Sequence, residues 1–230
     1  MTKLSASKLG VFKNCARCFW FQEVQGIKLP RGIFPSLPGG VDRVLKAWFD
    51  TWRNNGKFPP EVNLEGSPYK NQTELNGWRN WRSGLTASLG NNLLVIGAID
   101  DLHVDKLNGF FSPLDYKSRG STPNEGDSEK YYGHQMDVYA LLLEANGMQT
   151  TGKAYLIYYW PVEVFNLEGT GRSAKFAFDC EVVTIGADPK KAKVMATNAL
   201  DCINSALPPP PTPECEQCVY VEQIVASIRR

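Results

Sequence analysis

The chain has 230 residues, with 25 lysines and arginines against 24 aspartates and glutamates, for a formal net charge of +1. That length suits one sizeable domain, or one domain with a small attachment, and the balanced charge excludes a bulk positive field while leaving room for a local basic groove. Hydrophobic residues make up 43% of the chain, the share of an ordinary globular domain, and no apolar run approaches the roughly 18 residues of a membrane-crossing helix.

The opening stretch, MTKLSASKLGVFKNC, lacks the apolar core of a signal peptide. The expected setting is therefore cytoplasmic, where thiols stay reduced, and the six cysteines call for a role other than disulfides. Ser5 and Ser7 are candidate N-caps, and the stretch from there to Gly26 predicts a short helix running into a first cysteine pair. LPRGIFPSLPGG, residues 29–40, predicts irregular chain. Over 40–54, Val41, Val44, Leu45, Trp48, Phe49 and Trp52 recur at helical spacing and predict an amphipathic helix, stopped by Gly56 and Pro59-Pro60. A shorter helix is expected around ELNGWRNWRSG.

From Leu85 the pattern turns to strands. LLVIGAIDDLHV and GFFSPLDYKS flank DKLNG, whose Asn108-Gly109 is a hairpin signal. The polar loop SRGSTPNEGDS leads into a helix over SEKYYGHQMDVYALLLEANG, capped near Asp127 or Ser128 and ended by Gly147. GKAYLIYYWPVEVF and AKFAFDCEVVTI predict two more strands, and DPKKAKVMATNALDCINSAL a helix with Pro189 in its first turn. PPPPTPE is a stiff spacer before a second cysteine pair and a short terminal helix. The order predicts a mixed α/β domain around a small sheet flanked by helices, with cysteines at both ends.

Within PLDYKSRG, Asp115 and Lys117 are two residues apart and so face the same way on a strand. The plain explanation is a surface ion pair. The chemical one is a metal ligand beside a working lysine. Asp100 lies about one hairpin upstream, and two converging carboxylates repel unless a cation neutralises them; hard oxygen donors suit Mg2+ or Mn2+. The competing reading is two unrelated acids at hairpin ends. Gln135 and Tyr139, four apart on the next helix, share a face.

In order, G-x-I-D (Gly97 to Asp100), D-Y-K-S (Asp115 to Ser118) and Q-x-x-x-Y (Gln135 to Tyr139) resemble the PD-(D/E)XK nuclease superfamily. The likeness is to its RecB-like branch, which includes the CRISPR-associated RecB-like exonucleases and the AddB nuclease domain. That resemblance implies a restriction-endonuclease-like core and metal-dependent hydrolysis of DNA, on single strands or ends. Asp100, Asp115 and the Tyr116 carbonyl would hold one or two divalent metals, with Lys117 at the attacking water and Gln135 and Tyr139 along the DNA path. Such nucleases carry a histidine on the early helix, where VDRVL here has Asp42. A carboxylate can replace an imidazole as a ligand, and a first-turn helix acid is an equally ordinary feature. Partner proteins of DNA repair or CRISPR adaptation fit the resemblance, and no residue identifies one.

Cys15-x-x-Cys18 and Cys215-x-x-Cys218 are chelating pairs of matched spacing, and together complete a four-sulfur site. The resemblance implies a [4Fe–4S] cluster; Zn2+ is the alternative for four thiolates. The relatives place one cysteine N-terminally and three C-terminally, whereas this chain is two plus two. Residues 1–230 then read as one domain, with a core over about 40–206 and termini 1–39 and 207–230 sharing the metal. Cys180 and Cys202 read as ordinary buried thiols. Arg79 and Arg82, interleaved with Trp78 and Trp81, and Arg119 and Lys130 are candidate phosphate contacts; tryptophans packed on the core with arginines outside is the competing reading. His103 is expected to face away from the site and His134 to lie near DNA, and Asp101 and Asp137 read as solvated or structural. The classes left standing are a nuclease acting on DNA, an RNase on the same fold, and a non-catalytic nucleic-acid-binding or assembly subunit built round a structural four-cysteine site.

Overall fold

The computed structural model describes residues 1–30, 36–166 and 174–228. It begins with a strand absent from the sequence expectation, β1 (Thr2–Ser5), too short to carry a periodic pattern. The single helix expected next is two, α1 (Ala6–Asn14) and α2 (Ala16–Val24). Ser5 caps the first by accepting a hydrogen bond from the Lys8 amide at 3.3 Å, and extended backbone at Cys15 (φ −159°, ψ 108°) separates the two. The long amphipathic helix, α3 (Ser36–Arg53), starts four residues before the expected Gly40. Pro38 does not prevent this, because in a first turn its missing N–H has no helical acceptor to lose. Residues 31–35 of the expected irregular stretch lie outside the described residues.

After β2 (Ser67–Pro68), α4 (Gln72–Arg79) is capped by Asn71. β3 (Leu85–Gly90) and β4 (Leu93–Gly97) turn on Asn91 and Asn92, both at positive φ, where asparagine costs least among side-chain-bearing residues. LLVIGAIDDLHV is not one strand. It breaks at 98–100, where the Ile99 amide donates to the Trp78 carbonyl, and resumes as β5 (Asp101–Val104) in a different sheet. β5 and β6 (Phe111–Ser118) form the expected hairpin, its turn held by Asp105 accepting from the Leu107 and Asn108 amides. Then come α5 (Asp127–Ala145), β7 (Lys153–Asn166), β8 (Ala174–Gly186), α6 (Pro189–Asn204) and α7 (Glu216–Ile228).

The strands form a three-stranded sheet, β1-β4-β3, and a five-stranded sheet, β2-β5-β6-β7-β8. β6 and β7 are parallel, as the α5 crossover between them requires. One face of the larger sheet buries Leu114, Tyr116, Ile157 and Tyr159 against Leu45 and Phe49 of α3, with the Phe49 and Tyr116 rings 4.4 Å apart. The other face meets α5, which contributes Met136 and Leu141–Leu143 to the main core. The two helices thus cover opposite sides of β6, the strand that carries Asp115-Tyr116-Lys117. No helix among the described residues is long and apolar enough to cross a membrane.

Candidate active site

Alternation along β6 sends Leu114 and Tyr116 to the α3 side and Asp115 and Lys117 to the α5 side. There Lys117 Nζ lies 2.6 Å from Asp115 Oδ2, donates to Gln135 Oε1 at 3.2 Å and stands 4.1 Å from the Tyr132 ring centre. Gln135 Nε2 donates to Asp115 Oδ1 at 3.0 Å and to the Tyr139 hydroxyl at 2.6 Å. Gln135 and Tyr139 meet because they are one helical turn apart. α5 can come this close to β4 because Gly97 has no side chain; a Cβ there would stand 2.6 Å from Leu142 Cδ1.

Asp115 is 2% exposed. Burial raises its pKa to about 6; Lys117 works against that rise and the charge of Asp100 adds to it. The two oxygens of Asp115 are thus held differently: Oδ1 accepts from the Gln135 amide and buried Oδ2 faces the Lys117 ammonium. Burial works against the charge on Lys117, but Asp115 outweighs it and holds the lysine pKa above its ordinary value.

Asp100 sits where the chain passes from one sheet to the other. Its Oδ1 is 2.8 Å from Lys46 Nζ, and the same ammonium is 2.8 Å from Asp42 Oδ2. Asp42 and Lys46 are one turn apart on α3, so this helix brings a carboxylate and an ammonium to the site together. Desolvation disfavours the charge on Lys46, and Asp100 with Asp42 restores it. One ammonium, that of Lys46, thus bridges Asp42 and Asp100, and a second, that of Lys117, pairs with Asp115. The Tyr116 carbonyl can be placed by parity. Phe111 and Arg119 bond toward the β7 side and Phe110 toward β5, so even-numbered residues of β6 face β5. β5 ends at Asp101 opposite Leu114, which leaves the Tyr116 carbonyl without a strand partner on the side where Asp100 lies.

Behind the site lies a buried network that the sequence did not disclose. Asp101, taken from sequence as solvated or structural, is fully buried, and it accepts hydrogen bonds from Arg53, from the Tyr116 hydroxyl and from the Leu102 amide. Arg53, 3% exposed, also donates to the Tyr69 carbonyl at 2.8 Å. Arg79, grouped by sequence with the DNA-facing cations, is turned inward: it donates to the Asp100 carbonyl at 2.6 Å and pairs with Asp50 at 2.7 Å. The aspartate-rich turn is thus fastened to α3 and α4 by arginines. Removing a partner from a buried pair strands the other charge, so Arg53→Met is expected to cost about 3–5 kcal/mol of stability, measured by urea unfolding. A loss under about 1 kcal/mol would mean that Asp101 finds another partner or is rehydrated.

The other expected contacts are scattered. Arg119 pairs with Asp127 at 3.4 Å and lies over the Tyr158 ring, and Lys130 lies over Tyr131. Trp78 packs on the core while Trp81 is 73% exposed with Arg82 above its ring, so the WRNWR stretch divides between both sequence readings. His103 is buried and faces away from the site, bonded to the Glu65 carbonyl at 2.6 Å. His134 packs against Gly10 of α1. Asp137 accepts from the Asp188 amide at 2.7 Å, joining α5 to the start of α6. A cleft of about 410 Å³, lined by Ser5, Ser7, Trp81, Gly97, Gln135 and Tyr139, opens beside the carboxylates. The larger cleft, about 780 Å³, lies across α5 between Lys13, Asp137 and Asp188 and holds none of the three carboxylates.

At the termini, Cys15, Cys18, Cys215 and Cys218 lie within 4.8 Å of one another, the one such group of metal-type ligands among the described residues. Cys18 Sγ is 3.6 Å from both Cys215 and Cys218, and Cys15 is 3.8 Å from Cys218. Burial would raise the Cys15 thiol, but backbone hydrogen bonds at Thr212 and Cys18 overcome it and lower its pKa to about 6, whereas burial and the neighbouring thiols hold Cys18 well above the ordinary thiol value and burial pushes Cys218 up to about 11.

One buried carboxylate and two half-buried ones, a charged lysine and a glutamine thus gather at the open end of a β-hairpin crossed by one helix. A family model, that of the PD-(D/E)XK nuclease superfamily, matches residues 61–223, and the chain belongs to this superfamily. Nucleases of this superfamily hydrolyse phosphodiester bonds with divalent metals. The match includes Asp100, Asp115, Lys117, Gln135, Tyr139 and the second cysteine pair; α3 and the first pair precede it. No curated protein matches the chain.

Proposed function

We propose that the protein is a RecB-like deoxyribonuclease that hydrolyses phosphodiester bonds of single-stranded DNA or DNA ends. The observation that carries this is the contact set joining Asp115, Lys117, Gln135 and Tyr139, with Asp100 near enough to perturb Asp115. The donors fit a hard divalent ion: all are oxygens, and ammonium groups already stand between Asp42 and Asp100 and against Asp115 Oδ2. Asp100, Asp115 and the Tyr116 carbonyl would hold Mg2+ or Mn2+, with Asp42 in the place of the superfamily's histidine. When bound, the ion supplies Lewis-acid polarisation of the phosphate and a more acidic water. Lys117, kept charged by Asp115, orients the attacking water and meets the growing phosphate charge rather than taking the proton. Gln135 holds both Asp115 and Lys117 in place. The cleft beside Tyr139, with Trp81 exposed at it, offers an unpaired base a stacking surface.

The test is Mn2+-dependent cleavage of labelled single strands, with RNA and DNA of one sequence side by side. Cleavage that requires the metal and falls at least a hundredfold in Lys117→Ala is the expected result. Cleavage that persists in that variant removes the role given to Lys117. Preference for RNA makes the protein an RNase, and binding without cleavage makes it a binding subunit.

The four thiols also limit what they can hold. With a metal–sulfur bond of about 2.3 Å, a tetrahedral ion has sulfurs roughly 3.8 Å apart; three of the sulfur pairs here are 3.6 to 3.8 Å apart, and all four sulfurs lie within 4.8 Å of one another. In a four-iron cube each cysteine binds a different iron, and the body of the cube keeps the cysteine sulfurs well separated. The spacing therefore favours one zinc ion over the iron–sulfur cluster that the resemblance implies. Colourless protein with one zinc per chain is the matching outcome; brown protein containing iron and sulfide reverses the assignment.

A further inference from the structure

We propose that the Lys46 ammonium is a resident counter-cation, which neutralises Asp42 and Asp100 while the site is metal-free and which a divalent ion must displace. The inference rests on the metal-site reading above and adds a residue to it. One ammonium, 2.8 Å from each of two carboxylates, stands where an ion bridging those carboxylates would stand. The two cannot share that space, and their charges have the same sign. Lys46 is carried by α3, four residues after Asp42, so the ligand and its competitor arrive on one helical face. The lysine can also leave: its side chain is a quarter exposed and has four rotatable carbons on which to swing toward solvent or an incoming phosphate. The arrangement makes the metal-free site self-neutralising, which matters because Asp100 and Asp115 would otherwise repel across a poorly solvated gap. The cost is weaker metal binding, because every ion that enters must first break two ion pairs.

The experiment measures Mn2+ binding by calorimetry and melting temperature with and without saturating Mn2+, in the wild type, Lys46→Met, Lys46→Arg and Asp100→Asn. Lys46→Met is expected to bind Mn2+ at least tenfold more tightly, to melt lower than the wild type without metal, and to gain more from Mn2+. Lys46→Arg, which keeps a cation in place, is expected to bind like the wild type. A purely structural lysine would lower the melting temperature equally with and without the ion, and affinity in Lys46→Met equal to wild type overturns the proposal while leaving the metal site intact. Failure of the wild type and Lys46→Met alike to bind Mn2+, or binding that Asp100→Asn leaves unchanged, overturns the metal-site reading itself.

Discussion

Asp115→Asn is expected to lower cleavage about a thousandfold, roughly 4 kcal/mol of barrier, while circular dichroism and thermal melting show the fold still standing. Asparagine has nearly the same shape and can still accept from Gln135. It lacks the second anionic oxygen, the one that faces the Lys117 ammonium. The loss should appear in turnover with strand binding little changed, because a buried ligand of the proposed metal acts at the reacting phosphate rather than on the rest of the strand. A pH dependence goes with it. Asp115 ionises at about 6 in the metal-free protein, raised first by burial. Below that pH a metal must displace a proton, so Mn2+ affinity is expected to fall by up to tenfold per pH unit as the pH drops under about 6, and to flatten above it. Asp115→Asn removes that slope. A slope unchanged in the variant would assign the titration to another group. A variant that cleaves within tenfold of the wild type would remove Asp115 from the chemistry.

The second large effect concerns the other end of the molecule. α7 buries none of its residues among those described. Besides Cys218, with Cys215 just before the helix, it holds to the body through an Arg17–Glu222 pair at 3.0 Å, whose glutamate is more than half exposed, and such pairs contribute little. An ion held by the four thiols would therefore be the main fastening of the tail. A structural tetrathiolate ion is worth on the order of 10 kcal/mol in apparent terms. Cys18→Ala, or removal of the ion by a strong chelator, is expected to free the segment after α6. Digestion by a glutamate-specific protease after Glu214, Glu216 or Glu222 should then accelerate at least tenfold, while Cys202→Ala, outside the quartet, leaves the rate unchanged. Equal rates in Cys18→Ala and the wild type would mean that packing, not the ion, holds the tail.

The parts of this protein legible in the sequence are those whose physics is local. The apolar stripe of α3 and the alternation that puts Asp115 and Lys117 on one side of β6 depend on periods of 3.6 and 2, which a chain carries within a few residues. Ser5 at the start of α1 and Pro189 at the start of α6 are end signals of the same kind. β1 was not legible, because four residues hold no period and its pairing partner lies some ninety positions away. The break at 98–100 was hidden for the same reason: an apolar run crossing between two sheets looks like one strand until Trp78 claims the Ile99 amide. Arg79 was misplaced because arginine beside tryptophan reads as a surface pattern, and only the fold brings Asp50 and Asp101 beneath it.

By itself the sequence determined the chemistry on offer: two acids, a lysine, a glutamine and a tyrosine in a set order, and two matched cysteine pairs. It also determined that the acid and lysine of β6 face the same way. Only the tertiary structure decided which charges meet. It set the Lys46 ammonium between Asp42 and Asp100, fastened the aspartate turn with Arg53 and Arg79, and drew four thiols from the two ends of the chain within 4.8 Å of one another. The physical reason is that an interaction between charges or ligands depends on separation in space, and for residues distant along the chain that separation is set by how helices and strands pack, not by the residues between them.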